Sequence, residues 1–280
     1  MKNHLMPLRA IGFNAGQYGD IIISLIAARV FKSTYANSHL TYGIAKKYSD
    51  ISRFILRSPL VDDVHVWSGY DNFPMSDDLN FLRSQNYDIV FNPMPHHIDP
   101  CWYNYRHICQ EMCFMHGLPI PTDLSINIPR HNSIHEISNA RICVNTFGVT
   151  NSPKKSLSIR NSRKLVLELH KRGYETLQIC PNNHPDIGAT KRISLPYSEA
   201  VRFLETVEAI VTIDSSLCWA ACALNIPILG LYSSTYLPDL ASVSAYQPAA
   251  DSFVGIEAPN INDIPVAKIL ESLFTLQNVK

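Results

Sequence analysis

Two strand-to-helix junctions, one in each half of the chain, constrain its fold more than any other feature. Near the N-terminus the short apolar run Ile11–Phe13 passes into Asn14-Ala15-Gly16-Gln17-Tyr18-Gly19-Asp20 and then into the apolar stretch Ile21–Phe31. In the C-terminal half Ala209–Ile213 passes into Asp214-Ser215-Ser216, then Leu217–Leu224, and a second extended run, Ile228–Tyr232, follows Pro227. An extended run, small polar residues and then a helix is how an α/β fold opens a pocket at the carboxyl edge of a parallel sheet. Helix N-termini there offer free N–H groups to an anion. One junction in each half predicts two Rossmann-like sheets facing each other across a cleft.

The rest of the chain agrees with that plan. Leu8–Phe13, Leu40–Ile44, Val64–Trp67 and Tyr87–Asn92 read as strands. Between them Asp20–Tyr35, Tyr48–Leu56 and Asp77–Ser84 read as helices, the second stopping before Ser58-Pro59. Strands alternating with helices at this spacing indicate a parallel sheet covered on its faces. Tyr103–His116 is expected to be helical and Pro119–Pro129 extended; residues 130–140 are polar, as a linker is. A second α/β half follows, with strands at Arg141–Thr146, Thr176–Cys180, Ala209–Ile213 and Ile228–Tyr232. Its helices are expected at Ser158–Gly173, Pro196–Thr206, Ser215–Leu224 and Ile264–Leu276. The expected division is residues 1–135 and 136–280.

Composition narrows the function classes. Hydrophobic residues are 46% and charged residues 17% of the 280, which fits a globular protein and excludes a disordered one. The net charge is zero, so no global field draws the chain to nucleic acid or to an acidic surface. The run Ile21–Val30 is too short to span a bilayer and is interrupted by Ser24 and Arg29. Met1–Ala10 lacks the layout of a secretory leader. Seven cysteines, an odd number in apolar surroundings, are expected to be buried free thiols in a reducing cytoplasm. One local asymmetry stands out: Lys154 to Arg172 holds seven basic residues and one acidic one, Glu168. Most of these fit the solvated face of a helix. Lys154 and Lys155 precede that helix, in a loop where a phosphate could be met.

Several residues are candidates on their chemistry. Asp214 can cap the helix it precedes, while Ser215 and Ser216 offer hydroxyls and N–H groups at the positive end of its dipole. A plain helix cap is the alternative reading. Gly16 and Gly19 let the first loop approach a ligand closely, and Asp20 stands at the start of the helix beyond. His96-His97-x-Asp99 holds three possible metal ligands, too few in one loop for a metal site. That loop reads better as facing an acceptor, with Trp102, Tyr103 and Tyr105 available to stack on a sugar or a base.

The motifs resemble those of glycosyltransferase family 9, the ADP-heptose:lipopolysaccharide heptosyltransferase-like enzymes of GT-B fold. Gly19-Asp20 before an apolar helix is one point of likeness. Pro59-Leu60-Val61-Asp62-Asp63-Val64 resembles the family's NPYVDEV stretch, and Tyr87-Asp88-Ile89-Val90 its YDLVID. The run from Thr212 to Pro227 resembles its G-x-D-[ST]-G-x-x-H-x-A-A-A-L-G-x-P, with Gly230-Leu231-Tyr232 and Thr235 following. The chain departs from the pattern on the donor side, with Ser216 for a glycine, Trp219 for the histidine and Ser233 for a glycine.

The resemblance implies transfer of a sugar from a nucleotide-diphosphate sugar to an acceptor hydroxyl, inverting, without a metal or other cofactor. It implies Asp20 as the catalytic base. It places Asn145, Thr146 and one of Lys154 and Lys155 on the diphosphate, Cys180 and Pro181 beside the base and ribose, and Asp214, Ser215, Ser216 and Thr235 around the donor. Gly16, Gly19, His96, His97 and Trp102 fall on the acceptor side. A glycan such as a lipopolysaccharide core is the acceptor implied. A hydroxymethylated DNA base, as in phage-type enzymes, is an alternative acceptor. A nucleotide-sugar epimerase or a non-catalytic nucleotide-sugar binder are alternatives to transfer.

Overall fold

The structure, a computed structural model, describes residues 7–14, 16–67, 85–91, 106–130, 140–148, 152–234, 247–248 and 252–278. They divide into two compact units, one ending at Ile128 and the other beginning at Pro129.

The first unit is built on a four-stranded parallel sheet of β1 (Leu8–Asn14), β2 (Ser38–Ala45), β3 (Asp63–Trp67) and β4 (Ile89–Phe91), in the order β3-β2-β1-β4. Leu8 pairs with Ser38 and Ala10 with Ile89. Every residue of β2 from Leu40 to Ala45 is buried, the mark of a strand covered on both faces. Two helices, α1 (Tyr18–Ile23) and α2 (Leu25–Thr34), stand where one was expected. The break is at Ser24, whose buried hydroxyl donates back to the Ile21 carbonyl at 2.8 Å and also meets Tyr42 Oη. Such back-bonding competes with the regular helical pattern. The expected helix at Tyr48–Leu56 is instead a 3₁₀ segment, Lys46–Ile51, followed by the short α3 (Ser52–Ile55). α4 (Ile108–Phe114) is also shorter than expected, because His107 takes extended dihedrals and its Nδ1 accepts the Cys109 N–H. The extended segment beyond it is tied to α2 by Arg29, which donates to Asp123 and Ser125.

The second unit holds β5 (Arg141–Asn145), α5 (Ser152–Lys155), α6 (Ile159–Lys171), β6 (Glu175–Ile179), β7 (Lys191–Ile193) and α7 (Tyr197–Leu204). It continues with β8 (Ala209–Ile213), α8 (Ser216–Ala223), β9 (Ile228–Ser233), β10 (Phe253–Ala258) and α9 (Val266–Asn278). All neighbouring strands are parallel, in the order β10-β9-β8-β5-β6-β7. Counted within the unit this is the 3-2-1-4-5-6 order of a dinucleotide-type sheet. β7 and β10 were not legible in the sequence. β7 has three residues, two of them exposed cations, and short charged strands are usual at sheet edges. α6 begins at a Ser158 cap and ends before Gly173, which has φ +86°. Its Leu165, Val166 and Leu169 pack with Ile269, Leu270 and Leu273 of α9 over the sheet. Each such side chain contributes about 1.5–3 kcal/mol on burial. α8 differs: Leu217 through Ala223 are all buried, so this helix is enclosed rather than laid on a surface.

Candidate functional site

Each sheet has a point where the strand order reverses, and ligands of open α/β sheets bind outside the carboxyl ends of the strands there. In the first unit the reversal lies between β1 and β4, and in the second between β5 and β8.

At the first edge β1 runs through Gly16 into Gln17, the N-cap of α1. The Asp20 carboxylate turns back and accepts the Gln17 N–H at 2.8 Å. Asp20 is thus a half-buried residue of the first helical turn whose position is set by a capping bond. Gly16 is required beside it. A Cβ at that position would stand 2.5 Å from Asp20 Cβ and 2.7 Å from its Oδ2. Gly19 lies inside α1, not in the loop, so of the two glycines only Gly16 stands in the loop, and what its missing Cβ makes room for is Asp20. The next residue outward, Tyr18, donates its hydroxyl to Asp50 at 2.7 Å and packs edge-on against Tyr48, 4.9 Å between centroids. Burial, then the Asp50 carboxylate, pushes its phenol far above the usual range.

The second edge is a hydrogen-bonded network across the reversal. Asn145 ends β5 and is buried; its amide donates to Ser215 Oγ at 3.2 Å and to Thr212 Oγ1 at 3.5 Å. Thr212 and Ser215 are themselves 3.2 Å apart. Asn145 therefore sets the start of α8 from the neighbouring strand. The N-cap of that helix is Ser215, not Asp214 as expected. The Asp214 carboxylate makes no hydrogen bond among the described residues and stands half-buried just before the cap. Burial raises its pKa, against the attraction of Lys155, which lowers it. From the other side Tyr197 donates to the Ser216 carbonyl at 2.9 Å.

The two lysines separate clearly. Both lie on the short helix α5 rather than in a loop. Lys154 is exposed. Lys155 is half-buried and lies across Gly148, where a Cβ would meet Lys155 Cε at 2.5 Å and Ile213 Cδ1 at 3.3 Å. The Gly148 N–H is held by Ser156 Oγ at 3.0 Å. Thr146 takes no part in this surface: it is fully buried, and its hydroxyl bonds Ser162 of α6 at 2.8 Å. Cys180 is buried too, and burial raises its thiol. Pro181 is exposed at the head of a loop that Arg192 gathers by donating to the carbonyls of Pro181, Asn182 and His184.

Thr235, His96, His97 and Trp102 lie outside the described residues. Among the described residues no three His, Cys, Asp or Glu side chains converge on a point where a metal could sit. Sequence reasoning missed Gly148, Tyr197 and Arg192. Gly148 carries a signal, a glycine two residues after the expected Asn145-Thr146. Tyr197 and Arg192 act through elements distant in sequence and carry none.

No protein-family model and no curated protein sequence matches the chain. Solved structures do. A glycosyl transferase family 9 structure from Veillonella parvula is 15% identical with TM-score 0.75, covering 98% of this chain and 99% of its own. The E. coli ADP-heptose lps heptosyltransferase II is 15% identical with TM-score 0.72, over 97% and 99%. E. coli heptosyltransferase WaaC with ADP-2-deoxy-2-fluoro heptose is 11% identical with TM-score 0.66, over 95% and 99%. The chain therefore has the α/β fold of these proteins across nearly its whole length, the GT-B fold that the motifs led us to expect.

Proposed function

We propose that this chain is a glycosyltransferase that moves a sugar from a nucleotide-diphosphate sugar to an acceptor hydroxyl. The observation that carries the reading is the second edge: Asn145, Thr212 and Ser215 bonded across the strand reversal, presenting the start of α8 with Lys155 alongside. Such a surface offers N–H groups, hydroxyls and one cation to a diphosphate, and the structures of like fold include one solved with an ADP-sugar. We read residues from 136 on as the donor domain, with an adenine nucleotide, and residues up to 135 as the acceptor domain, with a glycan acceptor. No helix among the described residues is long and apolar enough to cross a membrane. The described cysteines are free and buried, as in a cytoplasmic protein.

In the reaction the acceptor oxygen bonds to the anomeric carbon as the bond from that carbon to the diphosphate oxygen breaks. The acceptor proton passes to Asp20, a general base whose position the Gln17 N–H fixes. Attack opposite the leaving group inverts the anomeric centre. Lys155 and the N–H groups and hydroxyls of Ser215 and Ser216 meet the charge that develops on the diphosphate, so the scheme needs no metal.

Calorimetry with ADP-, UDP-, GDP- and CDP-sugars tests the reading. The expected result is preferential binding of an ADP-sugar, lost in Ser216→Leu, which fills the space before α8. Ser215→Ala should weaken binding by about 0.5–1.5 kcal/mol, and by up to about 3 if its partner is charged. Binding of none of the four, or parent-like binding by Ser216→Leu, would remove the donor site from this edge.

A further inference from the structure

The cationic segment that the sequence isolates is unused by the chemistry above. Helix α6 presents it in a particular way. At about 100° per residue, Leu165, Val166, Leu169 and Ser162 fall on the buried side. Arg160, Arg163, Lys164, Leu167 and Lys171 fall within one outward arc about 100° wide, and all five are exposed. Leu167 is 53% exposed, and Ile159, 42% exposed, flanks the arc. No carboxylate lies within the arc. Glu168 sits at its margin toward α9, tied up by Lys171 at 2.7 Å and Arg172 at 3.2 Å. Glu271 of α9 is paired with Lys268 at 3.2 Å. Asp186, whose carbonyl takes the Arg163 Nε–H at 3.1 Å, is the other nearby acid. Around the helix six cations thus face three carboxylates, in a chain whose net charge is zero.

We propose that the outward face of α6 docks this protein on a membrane surface of anionic lipids. Charge complementarity selects a polyanionic partner, and the exposed Leu167 among the cations, with Ile159 at their edge, selects lipid over nucleic acid. A phosphodiester backbone gains nothing from an exposed leucine, whereas a headgroup layer admits it to the acyl boundary. Thirteen residues at 1.5 Å each make a stripe about 20 Å long, enough to lie along several headgroups. Cations on a surface helix each strengthen attachment to an anionic leaflet about fivefold, and salt screens the effect. The stripe is distinct from the candidate site, so the inference does not rest on the proposed reaction.

The test is sedimentation of the whole protein with phosphatidylcholine vesicles, with and without about 30% phosphatidylglycerol. Binding is expected to the mixed vesicles alone, and to be lost at high salt. The triple variant R160E/K164E/K171E should lose binding by a hundredfold or more. Arg160→Glu adds an acid to the first helical turn, where the helix dipole favours it, whereas Lys164→Glu and Lys171→Glu each bring an acid beside Glu168, the latter in the last turn; the melting temperature checks that the fold survives. Leu167→Ser, which leaves every charge in place, should weaken vesicle binding severalfold. Equal binding to neutral vesicles, no binding to either, or parent-like binding by a folded triple variant would overturn the proposal. So would binding of a duplex oligonucleotide as tight as that of the vesicles and indifferent to Leu167→Ser, which would mark the stripe as a polyphosphate-binding face.

Discussion

Each half of this molecule presses a glycine against a charged side chain at the carboxyl edge of its sheet, and the two contacts differ in stiffness. In the first unit Gly16 faces the Cβ of Asp20, an atom fixed to the backbone of α1. In the second, Gly148 faces the Cε of Lys155, near the free end of a flexible chain. Asp20 is held in place by a backbone bond from Gln17, whereas Lys155 is laid across a hollow that only glycine leaves open. A group that must take a proton from one atom benefits from a rigid mount. A group that neutralises a spread charge needs only to be near it. The difference matches the two roles proposed for them.

Asp20→Asn breaks the comparison most severely. Asparagine keeps an oxygen for the Gln17 N–H, so the cap and the melting temperature should hold. Turnover should fall by about 10²–10⁴, the usual worth of a general base, with nucleotide-sugar binding unchanged. A variant that turns over like the parent would leave Asp20 as a capping residue only.

The lysines come next. Lys155→Ala should weaken ADP binding by roughly 10- to 150-fold, the loss of a charged hydrogen bond, and adenosine binding hardly at all. Lys154→Ala, at an exposed position, should bind both as the parent does. Equal losses for the two ligands, or a larger effect at Lys154, would separate Lys155 from the diphosphate.

The glycines sharpen the contrast further. Gly16→Ala must shift α1 or the loop, at about 1–3 kcal/mol of stability, read as a lower melting temperature. Gly148→Ala need only push the end of Lys155 aside. Its melting temperature should stay near the parent's while ADP affinity drops toward that of Lys155→Ala. A Gly148→Ala protein with parent affinity would show that the lysine does not act from across the hollow.

How far the sequence could be read follows the same division between local and distant causes. The strand–helix alternation was legible because it rests on short-range pattern, and every described strand of the first unit was located. The break at Ser24 was not, since it depends on a hydroxyl that meets Tyr42 of strand β2. β7 escaped because two of its three residues are exposed cations, and its existence depends on pairing with β6. At the site, Asp214-Ser215-Ser216 was recognisable, but which residue caps α8 was not. Aspartate and serine are nearly equal caps, and the choice falls to Ser215 within a network that includes Asn145, seventy residues earlier. Lys154 and Lys155 could not be told apart in a sequence that does not show the hollow over Gly148.

The smallest effect falls on Asp214, and its sign carries the argument. Burial raises this carboxyl above the ordinary value of 3.8, in opposition to Lys155. A carboxylate whose folded-state pKa is raised costs stability wherever it must be ionised. Between 3.8 and the raised value the native state binds more protons than the unfolded chain, so stability increases as pH falls through that window. Asp214→Asn removes the titration and no hydrogen bond among the described residues. Its melting temperature should therefore exceed the parent's at neutral pH, and the gap should close as pH approaches 4. A loss of about 0.5–2 kcal/mol, as a helix cap would give, is not expected, because Ser215 holds that position. If Asp214→Asn were instead less stable at neutral pH, with the gap closing in acid, attraction to Lys155 would outweigh burial. The pair would then be a structural ion pair, and Lys155 would be less available to a diphosphate. With the sign predicted, the same pH series should show ADP binding more tightly as Asp214 takes up its proton, since a neutral carboxyl no longer repels the incoming phosphates.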